Sequence, residues 1–415
     1  MLKSKKILLG ITGSIAAYKS LYLISRLVQN GCDVKVVATK SALQFVGSAS
    51  IEGLTGNRVY NDLFDHGTVM SHINLIKWCD LFIIAPATAN VINKIASGIA
   101  DDLPTSLALA RDNSTPFLVA PAMNTNMYFN PATQASIKKL IEYGVDVLPT
   151  AEGYLACGDE GAGKLLEPEI IFNFVKARLL KKEKAKRKLK ILITAGGTKE
   201  NIDGVRYITN LSTGKTASEL ANYFFARGHA VDYLSAEDAM RPGMVNNIYR
   251  FADFESLDNR LKLLLGKNDY DVVVHNAAVS DFSPVLMTAG KIKLDLPSDK
   301  KISSDVEDIS IILKRNHKIL ERLKEYSSKK EITVVGFKFT NTMNKEERKE
   351  AVEKLFVESN CDLIVQNDLN DRTNGGVQRH FYLYDKNGEI CSSEDPFTLA
   401  MRLENYFETN SGNAT

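Results

Sequence analysis

Two stretches of this chain open the same way. ILLGITGS at 7–14 and ILITAGGT at 191–198 each carry an apolar strand into a glycine turn, and a helical pattern follows. Repeated strand–turn–helix units build a parallel sheet with helices on both faces. Strand patterns at 6–10, 33–39, 80–85, 117–120 and 145–148 alternate with helical patterns at 15–29, 73–79, 88–97 and 131–143. After a helical pattern at 169–180 the alternation restarts. Strands are expected at 190–194, 230–235, 271–275, 332–337 and 362–365, and helices at 214–227, 255–265, 346–359 and 396–407. The expected fold class is α/β, with two doubly wound parallel-sheet domains of related plan. The first spans 1–180, a basic linker (KKEKAKRKLK) 181–190, the second 191–407, and a polar, disordered tail 408–415.

A chain of 415 residues is long enough for two cores. Lys+Arg 52 against Asp+Glu 50 gives no bulk charge with which to grip nucleic acid. The five cysteines have no CxxC or metal-type spacing, which points to a reducing, cytoplasmic setting without disulfides. The basic-then-apolar start is broken by Gly10, Gly13 and Ser14, so it reads as a buried first strand. No apolar run approaches membrane-spanning length, and no membrane is expected as a partner.

Ligands of open parallel sheets bind beyond the carboxyl ends of the strands. Small, hydroxylated and amide residues gather there: 10–14, 39–41, APATAN at 85–90 and APAMNTNM at 120–127. Gly10, Gly13 and Ser14 at a helix start suit backbone N–H contacts to a phosphate, although a plain tight turn explains them equally well. His72 stands at an expected helix start; a lone histidine is more often structural, yet this position suits proton handling. Asn124 offers amide donors to a carboxylate. The segment 153–168, GYLACGDEGAGKLLEP, holds four glycines and reads as a loop or flap that carries one thiol, Cys157.

These residues resemble the bacterial bifunctional family that combines phosphopantothenoylcysteine decarboxylase with phosphopantothenate–cysteine ligase in coenzyme A biosynthesis. GITGSIAAYK at 10–19, SHINLIKW at 71–78, PATAN at 86–90, SGIADD at 97–102, PAMNTNM at 121–127 and ACGDEGAGKLLEP at 156–168 match the decarboxylase half. TAGGTKENID at 194–203, VRYITNLSTGK at 205–215, NAAVSDF at 276–282, KIKL at 291–294 and CDLIVQND at 361–368 match the ligase half. The resemblance implies an N-terminal flavodoxin-like flavoprotein of the cysteine decarboxylase type and a C-terminal Rossmann-like ligase.

For the first half it implies FMN held by Gly10, Gly13, Ser14, Thr39, Pro86, Thr88, Asn90 and Ser97. Oxidation of the cysteinyl CH₂–SH to a thioaldehyde gives the departing carboxylate an electron sink, and the resulting enethiol is then reduced. His72 assists the oxidative step, Asn124 holds the carboxylate, Cys157 donates the final proton, and Met127 and Ala156 bind substrate. For the second half it implies an acyl-nucleotidylate held by Asn210, with Arg206 on the substrate and Lys291 as the cation at the α-phosphate. His275, Asn276, Ala277, Asp281, Lys291, Asp308, Ile309, Phe337 and Lys354 form the nucleotide site, with Mg²⁺ accompanying the nucleotide and no metal ligands assigned.

The substrates implied are 4′-phosphopantothenate, L-cysteine and a nucleotide. The fused arrangement favours CTP. Departures at Leu294, Lys338, Thr340 and Glu358 or Ser359, together with AVSDF and FKF segments similar to those of the ATP-using eukaryotic type, keep ATP open. Lys215 in STGKT is not a Walker lysine, because Thr209 occupies the first glycine position. The family's N-terminal trimers, with flavin sites between subunits, and C-terminal dimers imply a homo-oligomer, a dodecamer. The competing readings are a flavin-binding regulatory protein of the same fold, a peptidyl-cysteine decarboxylase, which leaves 190–407 unexplained, and a nicotinamide-dependent dehydrogenase.

Overall fold

The computed structural model describes residues 2–62, 71–154, 158, 160–180, 185, 187–289, 292–298, 308–372 and 378–410, with only the backbone at 71–72, 289, 292 and 410. The chain forms two compact units, Met1–Lys184 and Ala185–Thr415.

In chain order the first unit contains β1 (Lys6–Ile11), α1 (Tyr18–Gln29), β2 (Asp33–Ala38), α2 (Ser48–Thr55), β3 (Val59–Tyr60), α3 (Ser71–Trp78), β4 (Leu81–Ala87), α4 (Ala89–Ala96) and α5 (Leu103–Ala110). It continues with β5 (Phe117–Pro121), α6 (Thr125–Phe129), α7 (Pro131–Glu142), β6 (Asp146–Val147), β7 (Ala151–Tyr154), β8 (Glu160–Lys164) and α8 (Pro168–Leu180). Six parallel strands run in the order β3-β2-β1-β4-β5-β6. β1 and β4 are covered on both faces, which is why their sequences are continuous apolar runs rather than alternating ones. Phe82 and Phe117 stack at 4.6 Å between β4 and β5 and anchor one side of the core. The doubly wound class is as expected. Its strand order is that of dinucleotide-binding sheets, whereas flavodoxin sheets run 2-1-3-4-5.

Among the helices that escaped the sequence pattern are α5 and α6. α5 is apolar around much of its circumference, so no helical period marks it; its start is fixed by Asp102, which caps Thr105 in a capping box. α6 is too short for a period. The segment expected as an irregular flap is instead a hairpin, with β7 and β8 paired antiparallel (Gly153↔Gly161, Tyr154↔Glu160). Its glycines removed the side-chain signal of a strand without removing the backbone's ability to pair.

The second unit contains β9 (Lys190–Ala195), β10 (Lys199–Asn201), β11 (Tyr207–Thr209), α9 (Lys215–Ala226), β12 (Ala230–Ala236), β13 (Asn247–Phe251), α10 (Phe254–Lys267), β14 (Val272–His275), β15 (Phe282–Ala289), β16 (Ile292–Asp295) and β17 (Ile309–Arg315). Then follow α11 (Ile319–Tyr326), β18 (Thr333–Thr340), α12 (Lys345–Glu358), β19 (Leu363–Asp368), β20 (Phe381–Asp385), β21 (Gly388–Ser393) and α13 (Pro396–Asn410). The main sheet runs β13-β12-β9-β14-β18-β19-β20-β21. Its first six strands are parallel and repeat the order of the first unit, and β20 and β21 extend one edge antiparallel.

A three-stranded antiparallel sheet, β16-β15-β17, is inserted between β14 and β18. β17 is mostly exposed and so lacks the alternation that marks a half-buried strand. The closing helix α13 reaches Asn410, so 408–410 are helical rather than part of a disordered tail; 411–415 lie outside the described residues.

Candidate functional site

In the first unit the strand order reverses between β1 and β4, and a crevice opens beyond their carboxyl ends. Thr12 ties the two strand ends together. Its hydroxyl donates to the Pro86 carbonyl at 2.7 Å and accepts from the Thr88 N–H at 3.1 Å. Thr88 caps α4, and Thr39 accepts from the Ala42 N–H at 3.1 Å. Together with Gly13, Asn90 and Met127 these residues line a cleft of about 620 Å³. Hydroxyls and amides of Thr12, Thr39, Ser41, Asn61, Thr88 and Asn90 line it beside the charged Lys40, Asp62, Lys94, Asp101 and Asp102.

Beside it lies a second cleft of about 440 Å³, lined by Ser14, Lys19, Asn124, Tyr154 and Gly163. Asn124 caps α6 through its Oδ1, which accepts from the Asn126 N–H at 2.8 Å. Buried Lys19 reaches Glu167 at 2.7 Å, below the hairpin. The hairpin is docked on the Asn124 loop. The Met123 N–H donates to the Gly163 carbonyl at 2.9 Å, and a Cβ on Gly163 would lie 2.4 Å from the Met123 carbonyl oxygen.

In the second unit the turn after β9 abuts the loop after β14. Ala278 donates its N–H to the Gly196 carbonyl at 2.8 Å, and Asn210 Nδ2 donates to the Val279 carbonyl at 3.0 Å. A cleft of about 460 Å³ is lined by Asn210, Lys199, Lys215, Asp238, Arg372 and neighbours. The α9 N-terminus faces it through Thr213, Lys215 and Thr216; its cap, Gly214, has no side chain, and the Thr213 hydroxyl accepts from the Lys215 N–H at 3.4 Å. Lys199 pairs with Asp238 at 2.9 Å, and that hydrogen bond holds the Asp238 carboxyl below the usual range.

Two buried carboxylates brace this crevice. Glu200 accepts from the Phe254 N–H at 3.0 Å and the Ser283 hydroxyl at 2.8 Å. Asp368 gathers the Thr340 hydroxyl and the N–H groups of Thr342 and Asn370. Burial opposes the charge on Asp368, but these hydrogen bonds outweigh it and bring the carboxyl down to about 2.

Residues 1–180 match the Flavoprotein family model, and 186–396 match the model described as DNA/pantothenate metabolism flavoprotein C-terminal domain. The chain is 37% identical over 373 residues to the coenzyme A biosynthesis bifunctional protein CoaBC of Bacillus subtilis, covering 89% of this chain and 87% of that one. CoaBC of Vibrio vulnificus is 36% identical over 371 residues (89% and 88%), and that of Borreliella burgdorferi is 36% identical over 370 residues (88% and 90%). The chain belongs to the CoaBC family. It is a bifunctional enzyme of coenzyme A biosynthesis whose first unit is a flavoprotein.

Against that family background, Gly13, Thr39, Thr88, Asn90 and Met127 share the first cleft, with Pro86 held at its edge by Thr12. Ser14 and Asn124 fall in the second. Gly10 lies inside β1, paired with Val37 and Ile84, and lines neither of these two clefts. Ser97 ends α4, exposed and away from both cleft linings. The backbone of His72 is in α3, but its side chain is outside the described residues, as are Ala156, Cys157 and Lys291 altogether.

Asn210 lines the ligase cleft, whereas Arg206 is bound back to Asp203 at 2.7 Å in the turn before β11. Asn276 and Ala277 follow β14, and Phe337 stands one residue past the β14–β18 pairing. His275 is buried, its Nδ1 3.0 Å from the Thr194 hydroxyl, and burial lowers it to about 4, which favours the neutral imidazole. Asp281 pairs with Lys318 at the surface, Asp308 and Ile309 open β17, and Lys354 lies exposed beside Glu358.

Thr12, Lys199, Glu200 and Arg372 were not foreseen. The first three sit inside the motifs at 10–19 and 194–203, as polar residues beside turn glycines. No motif or period marks Arg372.

Proposed function

We propose that the second unit joins L-cysteine to 4′-phosphopantothenate using CTP, and that the first unit, with FMN, decarboxylates the 4′-phosphopantothenoylcysteine so formed to 4′-phosphopantetheine, in the cytoplasm. In the ligase the substrate carboxylate attacks the α-phosphorus, pyrophosphate leaves, and the cysteine amine displaces the nucleotide to form the amide. Asn210, fixed by Val279, holds the acyl-nucleotidylate. The open α9 N-terminus with Lys215 receives phosphate oxygens, and Lys291 supplies the cation at the α-phosphate. Mg²⁺ accompanies the nucleotide phosphates.

The hydroxyl and amide lining of the 620 Å³ cleft fits a flavin phosphate and ring. Bound FMN supplies a two-electron acceptor for the carbon–sulfur centre and later returns the pair. The chain's own groups do the rest. Asn124 holds the substrate carboxylate, His72 assists its loss, and Cys157 gives the last proton to carbon. The observation that carries this reading is the pair of switch-point crevices, each presenting an asparagine on a braced loop.

Exposed Ile15, Tyr18 and Tyr22 in the first unit and Phe282, Ile312 and Leu313 in the second support a homo-oligomer, expected to be a dodecamer by mass measurement. No helix among the described residues is long and apolar enough to cross a membrane. The test is one coupled reaction from 4′-phosphopantothenate, cysteine and nucleotide that reads CO₂ and pyrophosphate together. Equal yields of both, with CTP preferred, are expected. Pyrophosphate without CO₂ from flavin-loaded enzyme sinks the decarboxylase assignment, and a strong ATP preference sinks the choice of CTP.

A further inference from the structure

The cleft that holds Asn210 carries both signs of charge: Lys199, Lys215 and Arg372 line it together with Glu219 and Asp238. Lys199 is paired with Asp238 at 2.9 Å. Lys215 stands at the α9 N-terminus, where the proposed reaction puts phosphate oxygens. Arg372 comes from another part of the chain, the stretch between β19 and β20, and the proposed reaction gives it no part.

Its guanidinium is held by fixed contacts. Cζ lies 4.7 Å from the centre of the Phe339 ring, and Nε donates to Gln378 Oε1 at 3.2 Å. Gln378 is itself buried, and its Nε2 donates to the Asp368 and Arg379 carbonyls at 3.0 and 3.1 Å. The Arg372 N–H donates to the Leu369 carbonyl at 3.2 Å, and an antiparallel bridge joins Arg372 to Gln378. The acids just before it in the sequence, Asp368 and Asp371, pair with Arg348 at 3.3 and 3.2 Å, and among the described residues no acid pairs with Arg372. A planar guanidinium fixed by a ring and by its Nε keeps its Nη groups for a carboxylate or phosphate fork.

Two anions of the ligase reaction have no receiver, the 4′-phosphate of the acid substrate and the carboxylate of L-cysteine. The acids in the cleft suit a zwitterion better than a doubly charged phosphate. The carboxylate of L-cysteine is also borne by the same carbon as the attacking amine, so it must arrive beside the acyl carbon, whereas the 4′-phosphate is at the far end of the pantothenate chain. We infer that Arg372 receives the carboxylate of L-cysteine and so selects the amine that enters the second half-reaction. This rests on the reading of Asn210 as the holder of the acyl-nucleotidylate. There the cysteine nitrogen forms a bond to the acyl carbon, the bond from that carbon to the phosphate oxygen breaks, and the nucleoside monophosphate leaves with the electron pair. The amine proton goes to water. Arg372 touches the nucleophile and takes no part in making the anhydride.

The test uses the full chain with CTP and 4′-phosphopantothenate and varies the amine. L-cysteine is compared with cysteamine, which has the same amine and thiol but no carboxylate. Pyrophosphate released in one turnover without amine reports the first half-reaction, and steady-state release against amine concentration reports the second. The wild type should favour L-cysteine over cysteamine in kcat/KM by about tenfold or more, the range of a hydrogen bond to a charged group. Arg372→Gln should keep the amine-free burst, keep kcat/KM for cysteamine within about twofold, and lose the preference for L-cysteine. Arg372→Lys, which keeps the charge but not the fork, should keep only part of it.

Equal losses with both amines overturn the inference. So does a raised KM for 4′-phosphopantothenate with the L-cysteine preference intact, which would put the substrate phosphate at Arg372. No amine-free burst from the wild type overturns the acyl-nucleotidylate reading and this inference with it. A normal burst with an unchanged preference in Arg372→Gln overturns the Arg372 assignment alone.

Discussion

The two units share a strand order and differ in how they are closed. In the first, the last helix α8 lies against α1, and its ion pair there, Arg26–Glu169, is exposed on both sides. In the second, the last helix α13 lies against α9 and sinks a carboxylate into the contact. Glu404 has no solvent exposure. It accepts from the Tyr223 hydroxyl at 2.6 Å, Arg227 Nε at 2.9 Å and His229 Nε2 at 3.1 Å. The Leu189 N–H donates to His229 Nδ1, which leaves the ring proton on Nε2 for Glu404. The crevices follow the same division. Neutral bonds from Thr12 and Thr125 brace the first, and the carboxylates Glu200 and Asp368 brace the second.

The largest effect should come from removing the buried charge. Breaking a buried pair leaves the partner uncompensated and costs about 3–5 kcal/mol, whereas an exposed pair is worth about 0–1 kcal/mol. Glu404→Ala should therefore destabilise the second unit severely in a denaturant melt, while Glu169→Ala barely moves the first. The pH dependence has a definite sign. Burial opposes the Glu404 charge, but His229, Tyr223 and Arg227 outweigh it and lower the carboxyl from 4.5 to about 2. A lowered folded value gives stability that is complete above the unfolded value and drains away as pH falls from about 4.5 towards 2. The wild-type second unit should lose stability over that window and Glu404→Ala should lose less; parallel pH profiles would refute the role.

A smaller but more selective effect should come from two glycines that occupy matching places. A Cβ on Gly163 would lie 2.4 Å from the Met123 carbonyl oxygen, and one on Gly197 would lie 2.4 Å from the Asn210 carbonyl oxygen. Each glycine lets a neighbouring segment close onto the backbone of an asparagine-bearing loop; Gly163 is also held at φ +111°, a conformation that disfavours a side chain. Overpacking such a contact costs about 1–3 kcal/mol, and a shift of about 1 Å at a reacting group costs about a hundredfold in rate. Gly163→Ala should lower CO₂ release about a hundredfold and leave pyrophosphate release intact. Gly197→Ala should do the reverse. If either variant lowers both activities together, the two units do not work as separately braced sites.

What the sequence revealed follows from what each element buries. β1, β4, β9 and β14 are covered on both faces and announce themselves as apolar runs; their strand ends then locate the crevices, and Thr39, Thr88, Asn90 and Asn124 are where that rule puts them, whereas Asn210, after β11 of the small antiparallel pair, came from the family resemblance alone. β7 and β8 stayed hidden because glycine pairs as a strand without a strand's side chains. β17 stayed hidden because it is mostly exposed. His275, a motif position at a strand end, is buried beside the Thr194 hydroxyl. Glu404 had no sequence signal at all, since a buried glutamate in an otherwise amphipathic helix reads as one more surface acid until Arg227 and His229 are seen beneath it.

The smallest effect tests whether the phosphates belong at α9 or at α12. The family resemblance places a nucleotide lysine at Lys354, in α12. Its ammonium is 3.7 Å from Glu358 on the next turn, and the side chain is 73% exposed. Of the two positions where a second family lysine would fall, Glu358 and Ser359, Ser359 is buried, with its hydroxyl donating to the Leu355 carbonyl at 2.6 Å. Neither presents an unshared charge to a cleft, and the groove of about 830 Å³ along α12 is lined by Lys345, Lys349, Val352 and Phe356 but not by Lys354. An exposed pair four residues apart contributes about 0.3–0.5 kcal/mol. Lys354→Ala should therefore change the nucleotide KM by less than about twofold, near that same energy, while Lys215→Ala, at the open α9 N-terminus, should raise it about tenfold. The reverse pattern would place the triphosphate on α12. It would also mean that the second unit holds its nucleotide away from the crevice beyond β9, unlike the first unit, whose cleft lies at the matching position beyond β1.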